Sequence, residues 1–167
     1  MYGKENGMTT GDRKRKVAKK PETILSDAIR DALAREPGLL MFRNSVGTFR
    51  ARGFVVKAGL PKGSADMIGI LAIDSPRTHD ENGILSRPEK LGRFVAIEVK
   101  QPGEEPRALD VLEAMHRRKP LEGKALHELE QQRWMQAIRD LGGFASFASS
   151  VEGATAAIGR ARRGERL

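Results

Sequence analysis

The stretch Arg93-Phe94-Val95-Ala96-Ile97-Glu98-Val99-Lys100 decides how this chain folds. Apolar, β-branched and aromatic residues without an internal glycine or proline read as a strand. Side chains two apart on a strand share a face, so Glu98 and Lys100 emerge together while Ile97 and Val99 face the other way. A second run, Asp66-Met67-Ile68-Gly69-Ile70-Leu71-Ala72-Ile73, opens on an acid. If the two strands are neighbours, two carboxylates and one ammonium converge within about 5 Å, the spacing of adjacent strands.

Two shorter runs, 39–46 and 53–57, precede these, and the four read as strands of one sheet separated by turns containing Gly, Pro and Asn. Before them, Pro21 suits a first helical turn, and Leu25, Ala28, Ile29, Ala32 and Leu33 recur at helical spacing, which predicts a helix over 22–35. The polar segment 74–93, with its Asn82-Gly83 turn signal, reads as an exposed loop longer than a hairpin needs. Downstream, 107–118 reads as a short helix ended by Lys119-Pro120, and 124–141 as a longer one closed by Gly142-Gly143. A strand over 144–149 and a last helix over 151–163 follow, Ser149 and Glu152 having the spacing of a capping box. The order α-β-β-β-β-α-α-β-α predicts an α/β fold, a mixed β-sheet flanked by helices.

Composition removes several classes of function. The chain of 167 residues has no cysteine, so disulfides, thiolate metal sites and cysteine nucleophiles are excluded. The longest apolar stretch, 67–73, is far short of the roughly 20 residues that span a bilayer, and the N-terminus lacks an apolar signal core. The expectation is a soluble, cytoplasmic protein without a membrane partner. Net charge is +8. Residues 1–20 hold seven basic and two acidic side chains, residues 160–167 four and one, and residues 21–159 nineteen of each. The expected organisation is a flexible basic arm (1–20), a neutral folded domain (21–159) and a basic tail (160–167).

Carboxylates and water are the ligands that Mg²⁺ prefers, and a metal so held can polarise a phosphoryl oxygen and acidify its water. Lys100 beside it can orient that water and stabilise developing negative charge. Asp66, Glu98 and Lys100 together therefore point to phosphodiester hydrolysis. Taken alone, the Glu-Val-Lys triplet reads better as a self-neutralising pair on a solvated sheet face, because so short a motif often matches by chance.

The wider constellation is more specific. Glu22 near the start of the first helix, Gly63-Ser64-Ala65-Asp66, Glu98-Val99-Lys100, and Gln131 ahead of Trp134 and Gly142-Gly143 resemble the VRR-NUC branch of the PD-(D/E)XK, restriction endonuclease-like nucleases over about residues 22–150. Arg43–Gly47 and 59–66 are similar to segments of small phage-type members. The resemblance implies a restriction endonuclease-like core with Asp66 and Glu98 as metal-binding acids, Lys100 as catalytic lysine, and Glu22 reaching the metal through water. Gln131 would help hold the active site or the DNA backbone. The metal would be Mg²⁺, with Mn²⁺ as substitute. Two departures stand out. Ala65 replaces the proline before the motif aspartate, and the 102–123 insertion lengthens the path from Lys100 to Gln131. The resemblance further implies a DNA endonuclease selective for Holliday junctions or other branched DNA, acting as a homodimer because two coordinated cuts are related by a two-fold axis. Within the same chemistry the alternative is a restriction-like or repair nuclease, and outside it a non-catalytic DNA-binding module on a nuclease fold.

Candidate DNA contacts are Arg43, Asn44 and Lys62, together with Arg117, Arg118 and Lys119 of the insertion. His79, His116 and His127 lack the spacing of a zinc hydrolase and are expected to be solvent-exposed. Trp134 lies on a helix stripe and is expected in the core. Gln132 lies about 100° around the helix from Gln131, so only one of the two can face the site.

Overall fold

The computed structural model describes residues 20–45, 47–51, 54–75, 79, 82–85 and 89–165. Residues 1–19 of the basic arm, Val46, Arg52, Gly53, the last two residues of the tail and parts of the 74–93 segment lie outside that set. The described elements are α1 (Pro21–Leu33), β1 (Leu39–Arg43), β2 (Gly47–Ala51), β3 (Phe54–Ala58), β4 (Met67–Asp74), β5 (Lys90–Val99), α2 (Leu109–Arg118), α3 (Gly123–Asp140), β6 (Phe144–Ala148) and α4 (Val151–Arg162). Pro21 opens α1, where a missing N–H is harmless, and Glu22 places negative charge in the first turn, where the helix dipole favours it.

Four strands form one mixed sheet in the order β1-β4-β5-β6, with β1–β4 and β4–β5 antiparallel and β5–β6 parallel. The parallel pair needs a crossover, which α2 and α3 supply. Helices cover both faces of β5, so its second half is buried continuously rather than alternately. Ile29 and Leu33 of α1 and Ala154, Ala157, Ile158 and Ala161 of α4 pack against Met67, Leu71, Val95, Ile97 and Val99 on one face. On the other, Met135 with Trp134 and Ile138 of α3 packs against Ala65, Ala96 and Ala145. Trp134, expected in the core, is partly buried at its margin and meets Phe94 edge-to-face at 6.4 Å. Arg93 fastens the centre. It is 8% exposed and donates to the carbonyls of Gly142, Gly143, Ala161 and Glu165, joining β5 to the C-terminal ends of α3 and α4. Carbonyls at helix ends lack intrahelical partners, which is why a five-donor guanidinium suits the place.

The mixed α/β class and the helix order are as expected, but the strands differ in three respects. The runs expected as four strands of one sheet supply only β1, β4 and β5 to it. The run at 53–57 becomes β3, which pairs with β2, a strand the sequence reading passed over, to make a separate two-stranded sheet. β2 has a single bulky apolar residue, too little patterning to stand out. β5 begins at Lys90, inside the segment read as a loop, because Lys90 to Gly92 pair with Asp74 to Ala72 at a surface-exposed end where polar residues are tolerated. The last helix is capped by Ser150, not Ser149: the Ser150 hydroxyl accepts from Gly153 N–H at 3.0 Å, so Glu152 plays no capping-box part. Among the described residues, no helix is long and apolar enough to cross a membrane.

Candidate active site

The register of β4 on β5, Met67 opposite Ile97, carries on by one residue to set Asp66 across from Glu98. The ladder ends there in a reciprocal exchange. Asp66 N–H donates to Glu98 Oε2 at 3.2 Å, and Val99 N–H donates to Asp66 Oδ2 at 3.0 Å. Lys100 follows β5 and continues the pairing to β6 through its own N–H, which donates to Ala148 O at 2.9 Å.

Glu98 is 3% exposed. Lys100 Nζ donates to Glu98 Oε1 at 2.9 Å and to Gln131 Oε1 at 2.8 Å, while Gln131 Nε2 donates back to Glu98 Oε1. The buried glutamine on α3 thus closes a triangle and holds ammonium and carboxylate in one arrangement. The Phe147 ring lies 5.9 Å from Lys100 Nζ, adding a cation–π contact. Burial, and secondly the charge of Asp66, push the Glu98 carboxyl from 4.5 up to about 7, against the opposing pull of Lys100. One ammonium does not balance two adjacent carboxylates in a partly dry site.

Gly63 delivers Asp66 to this point. It is buried with φ of +87°, and a Cβ there would stand 2.8 Å from backbone and side-chain atoms of Glu130. A glycine lets the 59–65 turn press directly on α3, one residue from Gln131. Asn44 braces the same turn from β1. Its Nδ2 donates to Ser64 Oγ at 2.7 Å and to Ala65 O at 2.9 Å, and its backbone N–H donates to Asp66 O at 2.7 Å. Asn44, expected as a DNA contact, therefore spends its amide donor inside the protein. Its partners lie twenty residues away, so no local pattern signals this role.

Two recesses flank the triangle. Glu22, Thr23, Ser26, Arg43 and Asp66 line a polar one of about 190 Å³. This brings Glu22 and Arg43 to the acid's outer side, Arg43 also standing 3.8 Å from Asp27. Lys100 and Gln131 open on the other side into a cleft of about 380 Å³ bounded by the 103–107 segment, Lys124, His127 and Glu128. That segment, part of the insertion, is pinned to α3. Glu128 accepts from Arg107 N–H at 2.6 Å and from its guanidinium at 3.0 and 2.5 Å, and Gln132 Nε2 donates to Arg107 O at 2.6 Å. Gln131 faces the site and Gln132 the strap, the division their angular separation predicts.

Lys62 is exposed and pairs with Glu130 at 3.3 Å. Arg117, Arg118 and Lys119 sit exposed at the end of α2 and line neither recess. His116 departs from the expected exposure: it is half-buried, and its Nδ1 accepts from Leu121 N–H at 3.0 Å.

Among the described residues, no cluster of three or more His, Cys, Asp or Glu side chains forms a ready metal cage. The donor set still suits a hard cation. Two carboxylates side by side, one pushed toward neutrality by burial and by the other's charge, are relieved by a divalent ion that keeps most of its waters. The chain matches no protein-family model, no curated protein and no solved structure.

Proposed function

We propose that this chain is a Mg²⁺-dependent DNA endonuclease with a restriction endonuclease-like core of the VRR-NUC type, acting in the cytoplasm. The observation that carries the reading is the convergence of Asp66, Glu98 and Lys100 where β4 begins and β5 ends, with Gln131 bridging the last two. Asp66 and Glu98 are the acids that would hold the cation, with Glu22 placed across the outer recess for a contact through water. A bound Mg²⁺ would supply positive charge to the phosphoryl oxygens and a more acidic water.

The chain's own residues do the rest. Gln131 keeps Lys100 and Glu98 in fixed orientation, so the ammonium is in position before substrate arrives and needs no rearrangement as charge develops on the phosphate. Arg43 beside Asp66, and Lys62 on the turn leading to it, stand where a phosphate backbone would pass. Branched DNA, Holliday junctions above all, is the proposed substrate, and a homodimer the proposed cutting unit, since a symmetric junction needs two cuts related by a two-fold axis.

Purified protein with Mg²⁺ is tested on linear, nicked, flap and four-way DNA. Cutting of the branched forms is expected, and loss of cutting with retained binding in Lys100→Ala. A correctly folded protein that cuts none of the four removes the proposal, and a Lys100→Ala variant as active as the parent removes the assigned chemistry.

A further inference from the structure

The neutral charge of residues 21–159 conceals an asymmetry. Between Glu36 and Asp66 lie 29 residues without a single acid, and they carry five cations: Arg43, Arg50, Arg52, Lys57 and Lys62. The described part of this stretch forms β1, the paired strands β2 and β3, and the turn that delivers Asp66, with Arg52 outside the described residues. Both ends of the hairpin are rooted at the candidate site. Its entry follows Asn44, which is bonded to Ser64 and Ala65, and its exit leads through 59–63 to Asp66.

Among the described residues the two strands pair only with each other, and no helix makes an extensive contact with them. Two strands alone are marginal in water, so a ribbon of this kind calls for a surface to lie on. The residues at its end are apolar and bare: Phe54, in the last described pair opposite Ala51, is 75% exposed, and Val55 is 64% exposed. Acid-free chain with a naked aromatic at the tip suits a polyanion whose bases can be stacked upon. Five residues per strand carry the tip about 15 Å from its root, the length of four or five base pairs.

We propose that the β2–β3 hairpin is a DNA-reading arm, drawn to the phosphates by its acid-free, basic sequence, with Phe54 entering the base stack where the duplex is already open at a branch. This rests on the nuclease reading for the class of partner, and it adds the element that tells branched DNA from continuous duplex. Apolar side chains that wedge between base steps act most readily where stacking is already broken, because less must be undone.

Full-length protein is titrated, in EDTA so that nothing is cut, into a labelled four-way junction carrying 2-aminopurine at the branch and into a linear duplex of the same sequence. Anisotropy reads affinity and 2-aminopurine emission reads unstacking. Phe54→Ala is expected to lower junction affinity about tenfold, to lower duplex affinity much less, and to abolish the emission rise. Arg50→Ala with Lys57→Ala is expected to weaken both DNAs alike and to reduce the slope of log affinity against log salt by about 1.8, roughly 0.9 per lost phosphate contact. Circular dichroism and the thermal midpoint establish that each variant is folded.

An unchanged junction-to-duplex ratio and unchanged emission in folded Phe54→Ala overturn the proposal. So does sedimentation showing that Phe54→Ala turns a dimer into monomers, which assigns the tip to a second copy of the chain. Wild-type protein that binds the junction in this way but cuts nothing with Mg²⁺ removes the nuclease reading and leaves the hairpin's role supported. Wild-type protein that cuts, while Phe54→Ala binds as wild type does, removes the hairpin's role alone.

Discussion

Replacing Glu98 by glutamine isolates the electrostatics of the candidate site. The folded protein holds the Glu98 carboxyl at about 7, whereas an exposed glutamate titrates near 4.5. Below pH 4.5 the group is neutral in both folded and unfolded chains, and its raised affinity for the proton contributes its full stability. As pH rises toward 7 the unfolded chain has released the proton and the folded chain has not, so that contribution is lost. The gap, at about 1.4 kcal/mol per pH unit, amounts to roughly 3 kcal/mol. Glu98→Gln removes the titration. It also leaves one of the donors around position 98, from Gln131, Lys100 or Asp66 N–H, facing an amide, a constant offset of about 1 kcal/mol that does not vary with pH.

The quantity to measure is therefore the stability difference between variant and wild type, by urea unfolding at a series of pH values from 4.5 to 8.5 with EDTA present. It is expected to swing by roughly 3 kcal/mol in favour of the variant as pH rises. With Mg²⁺ in place of EDTA, the wild type is expected to regain stability above pH 7, by about 2.7 kcal/mol at one hundred times its dissociation constant, and the variant to regain little. A difference that stays within about 0.5 kcal/mol over the whole range in EDTA refutes the claim that burial and Asp66 act on Glu98 as described.

Gly63→Ala is expected to destabilise the fold by about 2 kcal/mol or more, because it meets both a positive φ and the Glu130 backbone; urea unfolding measures this. Its cutting activity is expected to fall further than its stability, since the turn that sets Asp66 must shift, and single-turnover rates on the folded fraction test that. Arg93→Met leaves four backbone carbonyls without their shared donor and is expected to lower stability by about 3 kcal/mol, read as a drop in the thermal midpoint with little change in the DNA salt dependence. Deleting residues 1–20, which carry a net charge of +5, is expected to weaken DNA binding and flatten its salt dependence while leaving cutting at saturating DNA unchanged; loss of cutting there would assign the arm a larger part.

The site was legible because period-2 geometry is a property of any strand. Glu98 and Lys100 had to share a face once 94–100 was a strand, and two acids on neighbouring strands had to lie within reach if those strands paired. Helix positions were equally legible from apolar spacing in α1, α2 and α3, and from alanine content in α4. The hairpin was not, because β2 carries a single bulky apolar residue, too few for a period to show. The start of β5 was missed for the same reason at its exposed end.

What the sequence determined by itself is the α/β class, the neutral middle with basic ends, and the three residues that can work together. Tertiary structure decided the rest. It chose which strands pair, and so put Asp66 opposite Glu98. It pressed Gly63 onto α3 so that Gln131 could bridge Lys100 and Glu98, turned Asn44 from a surface contact into an internal brace, and gathered the acid-free stretch into a hairpin beside the acids. Apart from the hairpin's own local pairing, those outcomes depend on contacts between residues twenty or more positions apart, whose geometry exists only once the two cores on either face of the sheet have closed.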